Sequence, residues 1–327
     1  MKKKAKLYIA RKLPEPIEQM LASFFIVKSN PSEDLESKEE FLRNIEGITA
    51  LVTDSRVKVD EEVMNAAGPQ LRVISNYAAG FNNIDVAAAT KKGIAVTNTP
   101  GAVNNATADI AWALMFGIAR RVAEGDRLIR TGEPWNWSPS FFLGRDFTGK
   151  TLGIIGAGRI GMSMAKRACG FDMEIIYADG RVNEQLEKEL GAKRVDLETL
   201  LKEADYISIH TPLTPETRHL ISEKEFAMMK PTSILINTSR GPVVDEQALV
   251  EALKTRTIWG AGLDVFENEP YVNQELFKLD NVVMTPHIGT ATPDARRDMA
   301  IMAAQNILDI MEGKTPVGIV NREVLNR

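Results

Sequence analysis

The sequence predicts an α/β fold built as two doubly wound parallel-sheet domains. Two observations predict it. Short apolar runs alternate with helix-period segments twice over along 327 residues, a length too great for one ordinary domain. The second series also opens on a glycine-rich turn between a strand and a helix.

In the first series, Leu7–Ala10, Ile48–Val52, Val73–Ser75 and Ala95–Thr97 read as strands, and Ile17–Ser23, Lys38–Ile45 and Val86–Lys92 as helices. Strands and helices at this spacing give a parallel sheet covered on both faces. The second series places strands at Leu152–Ile155, Glu174–Tyr177, Tyr206–Ile209, Ile234–Asn237, Trp259–Leu263 and Val282–Met284. Between the two series, Ala106–Arg130 reads as one long helix, apolar on every side from Ile110 to Ala119. A surface helix keeps one polar face, so this one needs cover. Either another domain or a second subunit covers it, or it is an interior helix of its own domain, and the expectation is a homodimer. The last helix is well punctuated, with Thr292 as its cap, Pro293 at its first position and Gly313 past its end. It is expected to return to the first domain and leave that domain discontinuous.

Composition narrows the class of function. With 44% hydrophobic and 26% charged residues, the chain can bury two cores and is not disordered. A net charge of −4 gives no general attraction to nucleic acid or to an anionic membrane. The basic start, Met1-Lys2-Lys3-Lys4, is followed only by Leu7–Ala10, too short a run for a secretory signal. The longest apolar run, Ile110–Ala119, is about half of what a bilayer requires. One cysteine, Cys169, excludes an intramolecular disulfide and suits the cytoplasm. It has no metal-ligand spacing around it, so no metal is expected, and it reads as a small core residue.

Gly156-Ala157-Gly158-Arg159-Ile160-Gly161 fits G-x-G-x-x-G. Alone the pattern is weak. Here it follows the strand Leu152–Ile155 and opens a helix, the context of a dinucleotide-binding Rossmann turn. Gly156 allows the tight turn, Gly158 lets the backbone approach a pyrophosphate, and Gly161 lets helix and strand pack closely. The helix N-terminus offers amides to the phosphates. Asp179, at the end of the next strand, stands where an acid holds the ribose hydroxyls of NAD and repels the 2′-phosphate of NADP. Arg181 is near enough to greet that phosphate, so NAD is expected with NADP as the alternative. The expected division is then a discontinuous substrate-binding domain, 1–101 with 290–327, and an NAD-binding domain over 102–289.

Ligands of such sheets bind beyond the carboxyl ends of the strands. Four turns answer to that: His210-Thr211-Pro212, Thr238-Ser239-Arg240-Gly241, Asp264 to Pro270, and Pro286-His287-Ile288-Gly289. Together they hold an arginine, whose planar fork matches a carboxylate, and histidines that can move a proton near neutral pH. They also hold carboxylates that can orient such a histidine. Reduction of a keto acid needs this set. Spacing does not choose between His210 and His287, and His219 reads as part of a polar turn.

At these residues the chain resembles the D-isomer-specific 2-hydroxyacid dehydrogenase family, over essentially its whole length. The resemblance runs through Asn76 to Asp85, Thr97-Asn98-Thr99-Pro100-Gly101, Ala106 to Trp112, the glycine turn, and the four strand-end turns. It implies that Arg240 binds the substrate carboxylate, helped by the backbone amides of Ala79 and Gly80. It implies that His287, paired with Glu269, is the proton donor, and that Asp264 lies near the nicotinamide carboxamide. His210, Thr211, Pro212 and Thr238 then line the cofactor site, with the active site in the cleft between two domains. Ala106 to Trp112 and Trp135-Asn136-Trp137 point to glyoxylate and hydroxypyruvate reductases within the family, where Trp135 or Trp137 would reach a partner's substrate pocket. The alternatives are a dehydrogenase of another 2-hydroxy acid, such as D-lactate or 3-phosphoglycerate, and an NAD-sensing dimeric corepressor of the same fold. No appended tail for the corepressor role is expected here, and 327 residues are expected to leave no room for the regulatory domain that phosphoglycerate dehydrogenases often carry, short forms aside. Phosphite- or formate-type enzymes are weaker alternatives, because formate-type relatives lack a Glu at the position of Glu269. Asp172, Thr290 and the turn Asp179-Gly180-Arg181 depart from the common pattern, and the last keeps the cofactor choice open.

Overall fold

Ala50-Leu51-Val52 and Ile234-Leu235-Ile236 are apolar at every position, as strands covered on both faces must be, and all six side chains are buried. The computed structural model describes residues 4–326; Met1, Lys2 and Lys3 of the basic start and Arg327 lie outside the described residues. The chain divides into two compact units, Met1–Val103 with Thr290–Arg327, and Asn104–Gly289.

The first unit has strands β1 (Ala5–Ile9), β2 (Phe25–Ser29), β3 (Ala50–Asp54), β4 (Val73–Tyr77) and β5 (Ala95–Thr97), and helices α1 (Ile17–Ala22), α2 (Lys38–Asn44), α3 (Glu61–Ala67) and α4 (Val86–Lys91). Its sheet runs β2-β1-β3-β4-β5 and is parallel throughout, the doubly wound order of flavodoxin-like sheets. Two elements here escaped the sequence reading. Strand β2 lies on the edge with burial that only partly alternates, and α3 is a short helix capped by Asp60, whose carboxylate accepts from the Val63 N–H at 3.2 Å.

In the second unit the helices are α5 (Asn104–Ala119), α6 (Val122–Arg130), α7 (Arg159–Ala168), α8 (Glu184–Leu190), α9 (Leu197–Glu203), α10 (Glu223–Met228) and α11 (Glu246–Lys254). The strands are β6 (Thr151–Ile155), β7 (Glu174–Ala178), β8 (Lys193–Arg194), β9 (Tyr206–Ile209), β10 (Ile234–Asn237), β11 (Gly260–Leu263) and β12 (Val282–Met284). The sheet order β12-β11-β10-β9-β6-β7-β8 is that of the dinucleotide-binding fold, with its topological switch between β6 and β9. Turns at the carboxyl ends of β6 and β9 therefore flank the crevice where such sheets bind ligand.

The long helix expected over Ala106–Arg130 is two helices. Arg121 turns into the left-handed region at φ 54° and separates α5 from α6. The kink is held by Arg121 itself, which donates to Glu124 at 2.6 and 2.8 Å and lies 3.9 Å over the Phe142 ring. Helix α5 is an interior helix of its own unit. Gly260 and Gly262 of β11 make room for it, since a Cβ on either would stand 2.8 Å from Ile118 or Leu114. Its apolar girth thus gives no argument for a second subunit. Cys169, expected in the core, is exposed, because it ends α7 where the chain turns back toward β7.

Helix α12 (Pro293–Met311) brings the chain back to the first unit. Thr292 caps it by accepting from the Ala295 N–H at 3.2 Å. It packs on β4 through a buried face that includes Met299, Ala300, Ala303 and Ile307, and the Ser75 hydroxyl donates to the Ala303 carbonyl at 2.9 Å.

Candidate active site

The glycine turn after β6 is shaped by two close approaches. A Cβ on Gly156, whose φ is +92°, would come 2.6 Å from the Thr211 nitrogen and 2.8 Å from the His210 carbonyl oxygen. One on Gly161 would meet the Gly156 carbonyl oxygen at 2.5 Å. Gly158 differs, because a Cβ there would meet nothing within 4 Å, which leaves its backbone open to a ligand. Gly158 and Arg159 are exposed and Ile160 is half-buried. Gly158 caps α7 without a side chain, so the first-turn amides are available to phosphate.

Asp179 is tied to this turn: its carboxylate accepts from the Ala157 N–H at 2.8 Å and the Arg181 N–H at 2.9 Å. Arg194, which sequence reasoning missed, donates to the Asp179 carbonyl at 2.9 and 3.1 Å. It belongs to a two-residue edge strand with no apolar pattern to announce it.

Beyond β9, His210 is half-buried with its ring enclosed, and burial pulls its imidazole down to about 3. Its Nε2 lies 2.8 Å from the Ser208 hydroxyl. Its Nδ1 and the Thr238 hydroxyl are buried polar atoms without a protein partner among the described residues. Orphaned polar atoms of this kind call for a ligand or water. With the open Gly158 and the bare α7 terminus they fit a dinucleotide cofactor. His287, by contrast, is bonded to a carboxylate and His210 to a hydroxyl, a difference between the two that spacing did not show.

The ends of β10, β11 and β12 carry the charged set. Asp264 is buried, and its carboxylate accepts from the Thr285 hydroxyl at 2.6 Å, the Ile288 N–H at 2.8 Å and the Gly289 N–H at 2.7 Å. Those bonds fasten the turn on which His287 sits in the left-handed conformation, φ 55°. Nothing in the sequence pointed to Thr285. His287 Nδ1 lies 2.8 Å from Glu269 Oε2, and Glu269 Oε1 accepts from the Phe266 N–H at 3.0 Å. Partial burial pushes the Glu269 carboxyl up. The bond to His287, the charge of His287, the Phe266 N–H and the nearby Arg240 together outweigh this and hold it below the usual carboxylate range. Arg240 is brought down by burial and supported by the charge of Glu269; it also donates to the Ser239 carbonyl at 2.6 Å. Gly241 is what permits this closeness. A Cβ there would stand 1.9 Å from the Phe266 carbonyl carbon and oxygen.

In the first unit, the loop after β4 is tied back by its carbonyls. Thr99 N–H donates to Ala78 at 2.9 Å, the Asn98 side chain to Ala79 at 2.6 Å, and the Asn76 side chain to Gly80 at 2.8 Å. Trp135 and Trp137 lie in a stretch without regular structure and are exposed.

A histidine bonded to a carboxylate, an arginine and a second histidine on a hydroxyl, arranged around the carboxyl ends of a dinucleotide-binding sheet, define an NAD(P)-dependent oxidoreductase. Residues 112–289 match the model of the D-isomer specific 2-hydroxyacid dehydrogenase NAD-binding domain. The chain is 50% identical to the glyoxylate reductase of Thermococcus litoralis, over 98% of each chain. The crystal structure of a glyoxylate reductase from Paecilomyes thermophila superposes with a TM-score of 0.89 at 35% identity, covering 98% of this chain and 99% of that one. An NADPH-dependent glyoxylate/hydroxypyruvate reductase from Sinorhizobium meliloti, solved with NADP and malonate, superposes with a TM-score of 0.84 at 28% identity, over 97% of each chain. The chain belongs to the D-isomer-specific 2-hydroxyacid dehydrogenase family, as the sequence motifs implied. No helix among the described residues is long and apolar enough to cross a membrane.

Proposed function

We propose that this chain reduces glyoxylate or hydroxypyruvate to the corresponding 2-hydroxy acid with NADH or NADPH, and catalyses the reverse oxidation. The observation that carries the reading is the His287–Glu269 pair at 2.8 Å, with Arg240 close enough for its charge to act on Glu269. Likeness to glyoxylate reductases at 50% identity over 98% of both chains supports the substrate class.

In this reading Arg240 holds the substrate carboxylate as a fixed cation, helped by the amide donors of Ala79 and Gly80. Their loop is kept in shape by Asn76, Asn98 and Thr99. Glu269, ionised, accepts from His287 Nδ1, which leaves Nε2 to carry the proton given to the keto oxygen. Asp264 fixes the His287 turn and contributes to the nicotinamide end of the cofactor site. Gly156, Gly158, Arg159, Ile160, Gly161, Asp179, His210, Thr211, Pro212 and Thr238 form the rest of that site. The bound dinucleotide supplies the two-electron reducing equivalent that the protein's side chains cannot.

The molecule is further proposed to work as a cytoplasmic homodimer, with Trp135 or Trp137 at the partner's substrate pocket. The apolar side chains of Val122, Ile129, Trp135, Trp137 and Leu143, all more than half exposed, support that proposal. Light scattering in solution tests the assembly.

Steady-state oxidation of NADH and of NADPH with glyoxylate, hydroxypyruvate, pyruvate and 2-ketobutyrate tests the activity. Fast turnover of the first two is expected. Tight cofactor binding with no turnover would favour the corepressor-like reading instead. Arg240→Ala should lower kcat/KM by about a hundredfold or more, the loss of charge-assisted hydrogen bonds, with cofactor affinity intact. Near-normal activity would remove Arg240 from its role.

A further inference from the structure

A second histidine–carboxylate pair lies on the loop that carries Glu269. His219 Nε2 is 2.7 Å from Glu267 Oε1, and Glu267 is two residues from Glu269. His219 also reaches the other catalytic turn. Its N–H donates to the Pro242 carbonyl at 2.8 Å, two residues past Arg240. The pairing continues from Ile221 N–H to the Val243 carbonyl at 3.2 Å and from Asp245 N–H to the Ile221 carbonyl at 2.9 Å. To do both, His219 adopts the left-handed conformation, φ 51°, which a non-glycine residue takes at a cost in strain.

The far side of the loop is anchored as firmly. The Glu267 N–H donates to Glu246 Oε2 at 3.0 Å, and the Glu246 N–H to Glu267 Oε2 at 3.4 Å. Glu246 also accepts from the Asn273 N–H at 3.2 Å. The charged groups facing the imidazole are Glu267, Asp245 at 3.9 Å from Nδ1, and Arg218, which itself lies 3.4 Å from Glu267. None of these groups belongs to the proton-transfer pair or the carboxylate clamp, yet the bonds run from one to the other.

We propose that His219 is a positioning residue for the proposed reduction: a clasp, closed on Glu267, that holds the Arg240 turn and the Glu269 loop in register. The inference rests on the roles proposed above for Arg240, Glu269 and His287. Its action is on geometry. Without the imidazole, the loop keeps its Glu246 anchor and its packing on Gly241 but loses its hydrogen bond to the segment paired with the Arg240 turn, and Glu269 drifts from His287.

His219→Gly tests this, because glycine accepts the backbone angle at no cost and keeps the N–H to Pro242. Turnover of glyoxylate should fall about tenfold, a loss expected of a small misplacement of reacting groups, while NADH affinity by fluorescence stays within about twofold. The downfield proton resonance of the His287 Nδ1–H bonded to Glu269 should broaden or vanish. Glu267→Ala should reproduce the loss, whereas Glu267→Gln, which still offers an oxygen to the imidazole, should retain most of the activity. A His219→Gly protein that melts earlier but keeps wild-type kcat, KM and the His287 resonance would overturn the proposal. If the wild-type protein turns over no keto acid, the function fails separately. The resonance then decides alone, its loss upholding the clasp and its persistence refuting it.

Discussion

Gly241→Ala is the most direct test of how the charged site is assembled. The added Cβ would stand 1.9 Å from the carbonyl carbon and oxygen of Phe266 and 2.4 Å from the Glu267 nitrogen. Ordinary contact begins at 3.4 Å, so the deficit is 3.4 − 1.9 = 1.5 Å. The obstructing atoms are backbone and cannot rotate away. Either the Arg240 turn or the loop that carries Glu269 must shift by about that distance. Misplacing reacting groups by about 1 Å costs roughly a hundredfold in rate, and that is the expected fall in kcat for glyoxylate. Overpacking of this kind also costs about 1–3 kcal/mol, less than the roughly 5–15 kcal/mol by which folded proteins are stable, so the variant should fold. NADH affinity should change little, because Gly241 packs on the Phe266–Glu267 backbone and lies outside the glycine fingerprint. The assay is kcat, KM and cofactor Kd on a variant shown by calorimetry to be folded. A kcat within threefold of wild type would refute the claim that this contact sets the distance between the clamp and the proton-transfer pair.

Three further outcomes are expected. The Glu269 carboxyl is held below its ordinary value of 4.5, so its ionised form adds stability that is present above that value. That stability is lost as the pH falls through the lower folded-state value. Melting curves between roughly pH 3 and 6 should therefore show Glu269→Gln below wild type at the upper end and the gap closing at the lower. A gap independent of pH would mean the carboxylate is not stabilised in the fold. His210, kept neutral by burial, should leave both limbs of the pH–rate profile in place when replaced by Gln, with weaker cofactor binding; a displaced limb would show that it titrates during turnover. Asp179→Ser should bring NADPH affinity closer to NADH by about tenfold, since the carboxylate's repulsion of the 2′-phosphate is removed while Arg181 and Arg194 stay beside it. An unchanged ratio would place the selection elsewhere.

Much of this molecule is legible in its sequence, for identifiable reasons. Apart from the edge strand β8, the strands of the second sheet are mainly apolar runs whose observed limits fall within about one residue of the pattern, because burial on both faces permits little else there. The glycine turn is legible because its steric demands admit one residue type at Gly156 and Gly161. Strand β2 was missed because an edge strand is not held to that pattern, and α6 because no local signal marks Arg121 for a left-handed turn. In the site, residue chemistry proposed Arg240, Glu269 and His287, yet the tertiary props could not be read. Thr285 beneath Asp264, Arg194 beside Asp179 and His219 on Glu267 are ordinary polar residues in polar segments. Only the fold brings each to its partner, across 21, 15 and 48 positions of chain respectively.

The return of α12 to the first sheet has a consequence for how the protein comes into being. Residues 104–289 are continuous and can complete their unit as they are synthesised, but the sheet made from the first hundred residues is finished only when α12 packs on β4 and β5 beside α1. Ser75 donates to the Ala303 carbonyl across 228 residues, and the Tyr77 hydroxyl to the Arg296 carbonyl across 219. The part of the chain that leaves the ribosome first is therefore the part that finishes last. The usual order, in which amino-terminal domains fold ahead of later ones, is not open to a unit whose last helix is made at the end of the chain. Until α12 is made, the residues of β4 that face it, Val73, Ser75 and Tyr77 by the alternation of a strand, lack that cover while the nucleotide-binding unit can already close.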